Sequence, residues 1–149
     1  MSTRGAIGFY YKGKEKVGYN HFDSYFTGLG NDLLSYLKGR TKEELINVCN
    51  SIKLESEDDA WAVNKFNDDF RDYRTFLYDN VFCEYAYIIN LDSNKLEVYK
   101  LIDNPINGRY FKDKRYKEYN KGLNLFKEID LEKCFEGKVT FVKEDVIIK

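Results

Sequence analysis

His21, Asp23 and Arg4 are the residues whose types suit chemistry. An imidazole held by a carboxylate can take a proton from a hydroxyl or a water, and Ser24 and Thr3 are the neighbouring hydroxyls. A guanidinium can pair bidentately with a carboxylate or clasp an anionic ligand. The run from Ser2 to Gly8 and the run from Tyr19 to Tyr25 flank an expected β-hairpin, whose antiparallel pairing sets residues 3 to 5 beside residues 20 to 24. Arg4, His21, Asp23, Ser24 and Tyr25 then share one small polar site. In it Arg4 would neutralise an anion, His21 would move a proton, Asp23 would orient His21, and Tyr25 would stack or hydrogen-bond. The same residues admit a structural role, with His21 and Asp23 fixing the turn after the hairpin and Arg4 forming an ion pair with Asp23.

Other chemistry is less fully spelled out. Gly28 and Gly30 precede an expected helix and could bare backbone N–H groups to a phosphate, but Gly-Leu-Gly is neither a dinucleotide nor a P-loop pattern. Removal of the initiator Met would leave a free Ser2 amine beside its own hydroxyl, the arrangement of N-terminal nucleophile hydrolases. His21 is the single histidine, so a zinc site would need Cys49, Cys83 or Cys134 to converge from afar, and no metal or other cofactor is expected. Between Asp103 and Tyr119, rings alternate with Arg109, Lys112, Lys114, Arg115 and Lys117; Tyr110, Arg115 and Tyr116 are the residues here suited to contact a partner.

The elements that must position these groups follow from pattern. Residues 6–11 and 16–20 form the first hairpin, with Gly8 and Gly18 marking a bulge or a close backbone approach. Leu33, Leu34 and Leu37 have helical spacing before Gly39, and Thr41 with Glu44 starts a second short helix. Trp61 is read as a core residue, and Phe66, Phe70, Tyr73 and Leu77 predict a longer helix over 64–78. Residues 84–90 and 96–101 form the clearest hairpin, with Leu96 and Val98 on one face and Glu97 and Tyr99 on the other. A short helix at 131–135 and a terminal strand or hairpin over 138–148 complete a single α+β domain, residues 1–149. Its mostly antiparallel sheet packs against three or four short helices.

Composition narrows the function. The chain has 149 residues, 43% of them hydrophobic, enough for one core without staples. With 24 Lys and Arg against 25 Asp and Glu, no general field favours a polyanion, which weighs against nucleic acid as a partner. Three widely spaced cysteines among apolar neighbours read as reduced thiols in a cytoplasmic protein. Nowhere do 18 apolar residues follow one another, so no membrane span is expected.

Thr3, Arg4 and Gly5, followed by His21, Phe22, Asp23, Ser24 and Tyr25, resemble a family of small proteins of phages, plasmids and bacteria. Its members open with Thr-Arg and Gly or Ser, run through a short hairpin, and present His-aromatic-Asp-Gly/Ser-Tyr. Gly28 and Gly30 resemble one branch. The similarity covers roughly the first 35 residues and returns in the hairpin at 84–101. It implies a shared domain and a mobile-element origin, with host defence or host regulation as the target. The expectation is an intracellular protein that binds or inhibits a host protein. The alternative is binding, sequestration or hydrolysis of a small anionic metabolite or nucleotide at Arg4, His21 and Asp23.

Overall fold

A computed structural model describes residues 3–52, 77, 82–112 and 120–149. β1 (Gly5–Tyr11) and β2 (Lys14–Asn20) pair antiparallel from Gly5 opposite Asn20 to Tyr11 opposite Lys14. The turn between them is two residues long, Lys12 and Gly13, both at positive φ, as the twist of a tight hairpin requires. Asp92 braces it from a distant turn, its carboxylate accepting Lys12 N–H at 2.9 Å and Gly13 N–H at 3.1 Å.

After β2 the chain makes a wide π-helical turn, Phe26–Gly30, that runs into α1 (Asn31–Leu37) and then α2 (Lys42–Ser51). Thr41 caps α2 as its spacing predicts, its hydroxyl accepting Glu44 N–H at 3.2 Å. The far end of α2 is capped by a β-strand residue: Lys16 Nζ donates to Cys49 O at 2.6 Å and Ile52 O at 3.0 Å. Those carbonyls are helix-end acceptors with no later turn to serve them, and an ammonium also suits the negative end of the helix dipole.

β3 (Tyr85–Asn90) returns parallel to β1, and β4 (Lys95–Asp103) and β5 (Lys121–Asp130) follow antiparallel, giving the order β2-β1-β3-β4-β5. The one parallel pair arises because β3 follows a helical crossing rather than a tight turn. α3 (Leu131–Phe135) and a separate hairpin, β6 (Val139–Phe141) with β7 (Val146–Ile148), complete the described chain. The protein is thus a single α+β unit with a mixed, mainly antiparallel sheet and, among the described residues, three short α-helices. The helix expected over 64–78 lies outside the described residues except for Leu77, and so does Trp61.

Alternation sends residues to two buried faces. Ile7, Phe9, Tyr87, Ile89, Leu96 and Val98 join the helices and the terminal hairpin in one cluster. Ala6, Ala86, Ile88 and Tyr99 join Leu77, Cys83, Tyr110 and Leu123 in a second cluster on the opposite face. Glu97 sits on this second face and is only 6% exposed. Among the described residues no helix is long and apolar enough to cross a membrane.

Candidate functional site

The strand ends at Gly5, Asn20 and Tyr85 gather the predicted residues at one end of the sheet, as the hairpin argument required. Ser24 N–H donates to Thr3 O at 3.0 Å, which closes the 21–25 loop onto the start of β1. Only glycine fits beneath this closure, since a Cβ on Gly5 would lie 2.7 Å from both Ser24 Cβ and Tyr85 O.

Within that end the five residues separate into an inner lock and an outer rim. Ser24 is fully buried: its hydroxyl accepts from Asn20 Nδ2 at 2.8 Å and lies 3.3 Å from Asn20 O, and Tyr87 donates its hydroxyl to Ser24 O at 2.8 Å. Burial raises the Tyr87 phenol far above its ordinary range, so it remains a donor here. Ser24 is therefore a structural lock and not a hydroxyl presented to His21. Asn20, which the sequence reading passed over, holds this lock and also donates to Phe22 O at 2.6 Å.

The rim is made of three contacts. His21 Nδ1 meets the Tyr19 hydroxyl at 2.6 Å, and its ring stands edge-on to Phe22 at 4.5 Å. Asp23, at φ 53°, accepts the Tyr25 hydroxyl at 3.2 Å, a bond that raises the Tyr25 phenol. Arg4 lays its guanidinium over the Phe82 ring at 4.8 Å, and its Nε is buried without a hydrogen-bond partner. Its backbone is tied to Glu84, giving N–H to Oε2 at 3.4 Å and accepting Glu84 N–H at 3.0 Å. Neither the expected Arg4 to Asp23 ion pair nor the His21 to Asp23 orientation is formed. The left-handed turn at Asp23 points its carboxylate to Tyr25 instead. Phe22 is 65% exposed and Phe82 51% exposed, so the rim presents two bare rings beside one cation.

The glycines expected to cradle a phosphate are committed elsewhere. Gly28 N–H donates to Tyr25 O, Leu29 N–H to Asp23 O and Gly30 N–H to Tyr25 O, at 3.0, 2.8 and 3.4 Å. Gly28 sits against Asp23 O, and Gly30 leaves room for the Phe141 ring. They are packing glycines. Cys49 and Cys134 are buried on one face of the sheet and Cys83 on the other, so they do not converge on His21. Among the described residues no three His, Cys, Asp or Glu side chains form a metal-binding group.

Tyr110 and Arg109, read as part of a loop that might meet a partner, turn inward. Tyr110 is 1% exposed. Arg109 gives Nη2 to Glu97 Oε1 at 2.9 Å and Nη1 to Glu97 Oε2 at 3.2 Å, and it also donates to the Tyr99 and Tyr110 hydroxyls at 3.1 and 2.9 Å. Tyr99 and Asn90 donate to the same carboxylate at 2.9 and 3.1 Å. Glu15 lies 3.8 Å from Arg109 Nε, and the Tyr10 ring lies 5.0 Å from the guanidinium. This buried network pins the 104–112 segment to the second face of the sheet. The one sequence sign of it was Glu97 sharing a face with Tyr99. Arg115 and Tyr116 lie outside the described residues.

Comparisons with protein-family models, with curated proteins and with solved structures return no match.

Proposed function

We propose that the protein is a small interaction module that binds and inhibits a host protein inside the cell, using the rim formed by Arg4, His21, Phe22, Tyr25 and Phe82. The observation that carries this reading is the exposure of Phe22 and Phe82 at the edge of a rigid sheet end, with the Arg4 guanidinium stacked on Phe82. Aromatic rings and arginines are the residues that most often anchor protein interfaces. The lock of Ser24, Asn20 and Tyr87 beneath them holds the rim in place before any partner arrives, which lowers the ordering cost of binding. The likeness of residues 3–5 and 21–25 to proteins of phages and plasmids supports a host target, and three free buried thiols suit the cytoplasm.

The alternative, a small anionic metabolite or nucleotide at Arg4, His21 and Asp23, draws support from the unbonded Arg4 Nε. It is weakened by the engagement of Asp23 with Tyr25 and by the burial of Ser24.

A photocrosslinking amino acid placed at Phe22 or Phe82 tests the proposal in host cells, with Ser93 in the β3–β4 turn at the opposite end of the sheet as control. One host protein crosslinked from both rim positions and not from Ser93, and lost on Arg4→Ala, is the expected result. Equal labelling from all three positions, or none from the rim, overturns it.

A further inference from the structure

β4 outlasts β3 at the rim end of the sheet. Tyr85 opposite Lys100 is the first β3 pair, yet β4 continues to Asp103 alongside β5. Glu84 O still accepts Leu101 N–H at 2.8 Å. Strand alternation turns the backbone N–H and C=O of Asp103 to the same side as those of Leu101, where β3 has already ended. A cavity of about 260 Å³ fills this notch, and Glu84, Tyr85, Lys100, Asp103 and Lys121 line it along with two aliphatic residues.

The charges of the notch balance. Lys100 and Lys121 bring two ammonium groups, and Glu84 and Asp103 bring two carboxylates. Asp103 and Lys121 stand opposite each other in register without closing an ion pair with one another, and Lys100 reaches Glu144 only at 3.4 Å. A lone anion drawn to the lysines would also meet both carboxylates, and a lone cation would meet both ammonium groups. A molecule carrying both charges a few bonds apart satisfies all four. The volume falls below the usual range for drug-sized ligands and is too small for a nucleotide, but suits a few heavy atoms.

We infer that this notch is a binding site for a small zwitterion of the α-amino acid class, its carboxylate set toward Lys100 and Lys121 and its ammonium toward Glu84 and Asp103. The bare Asp103 backbone edge adds a donor and an acceptor for the same polar groups. This site is separate from the rim contacts of Phe22 and Phe82, so it stands or falls apart from the proposed interaction function.

The test is amide chemical-shift titration of the full chain with glycine, L-glutamate, L-lysine and L-phenylalanine, with acetate and methylammonium as single-charge controls. Saturable shifts confined to 84–85, 100–103 and 121, at concentrations on the order of 1 mM, are expected for at least one amino acid and for neither control. Lys121→Met and Glu84→Gln, changes that leave the core untouched, each weaken that binding about tenfold. Absence of saturable shifts with every amino acid, equal shifts with acetate alone, or unchanged binding in both variants overturns the inference.

Discussion

Arg109 grips the Glu97 carboxylate through two hydrogen bonds, 2.9 and 3.2 Å long, on a sheet face where Glu97 is almost wholly buried. A buried carboxylate left without its cation costs far more than the pair gains over an apolar replacement. Glu97→Ala and Arg109→Ala are each expected to destabilise the fold by about 3 kcal/mol or more, whereas the double variant loses much less than the sum. Urea denaturation of the full cycle measures the coupling. Additive losses would mean that Arg109 and Glu97 do not act as a unit.

Lys16 ends α2 from a neighbouring strand, through bonds to Cys49 O and Ile52 O. Lys16→Met keeps the aliphatic stem and removes the ammonium. A loss of about 1 kcal/mol is expected, seen as a fall of roughly 3 °C in Tm. Hydrogen exchange should quicken in the last turn of α2 and not in α1. Faster exchange spread evenly over both helices would contradict the cap.

Gly5 is where the sheet end closes. Gly5→Ala puts a methyl against Ser24 and against Tyr85 O, and the carbonyl belongs to a strand that cannot give way. Destabilisation of about 2 kcal/mol is expected, and adding Ser24→Ala should not restore it, because the clash with Tyr85 O persists. Chemical denaturation decides between this result and rescue by the second change.

Stability should fall in alkali. Burial pushes the Cys134 thiol up to about 12, with the Asp130 charge adding to the effect, against an ordinary value of 9.0. Burial likewise raises the Tyr87, Tyr99 and Tyr110 phenols above their ordinary 10.0, with Glu97 adding at Tyr99 and Glu15 at Tyr110. Each group is neutral when protonated and holds its proton more tightly in the folded chain. Its contribution is therefore complete below the unfolded pKa and is lost as pH rises toward the folded one. The denaturation midpoint should hold steady up to about pH 8 and decline between about pH 9 and 11, with native Cys134 slow toward thiol reagents at pH 9. A flat profile through pH 11 would refute this account.

Some of the architecture was legible because it rests on local rules. The Thr41 and Glu44 spacing identified the start of α2, the β3–β4 turn residues identified that hairpin, and Leu131–Phe135 was read as helical. β5 was missed for a reason visible in its residues. Leu123 and Leu125 face the second cluster while Ile129 faces the first, although all three stand at even spacing. The register slips between Val98 and Tyr99, which leaves Phe126 unpaired and reverses the alternation partway along the strand. A period-two search across Lys121–Asp130 therefore meets two half-strands of opposite phase.

The sequence by itself determined the α+β composition, the first hairpin and the meeting of residues 3–5 with residues 20–24, because strand period and antiparallel pairing are properties of neighbouring residues. Only the tertiary structure decided which polar partners the site residues take. Asp23 turns to Tyr25 because its backbone is left-handed, and Ser24 is sealed by Asn20 and by Tyr87, a residue 63 positions away. Glu97 and Arg109 pair because a second layer covers the face on which Glu97 lies. Buried polar groups must be satisfied by whatever donors the whole fold brings near them, and that set is not a local property of the chain.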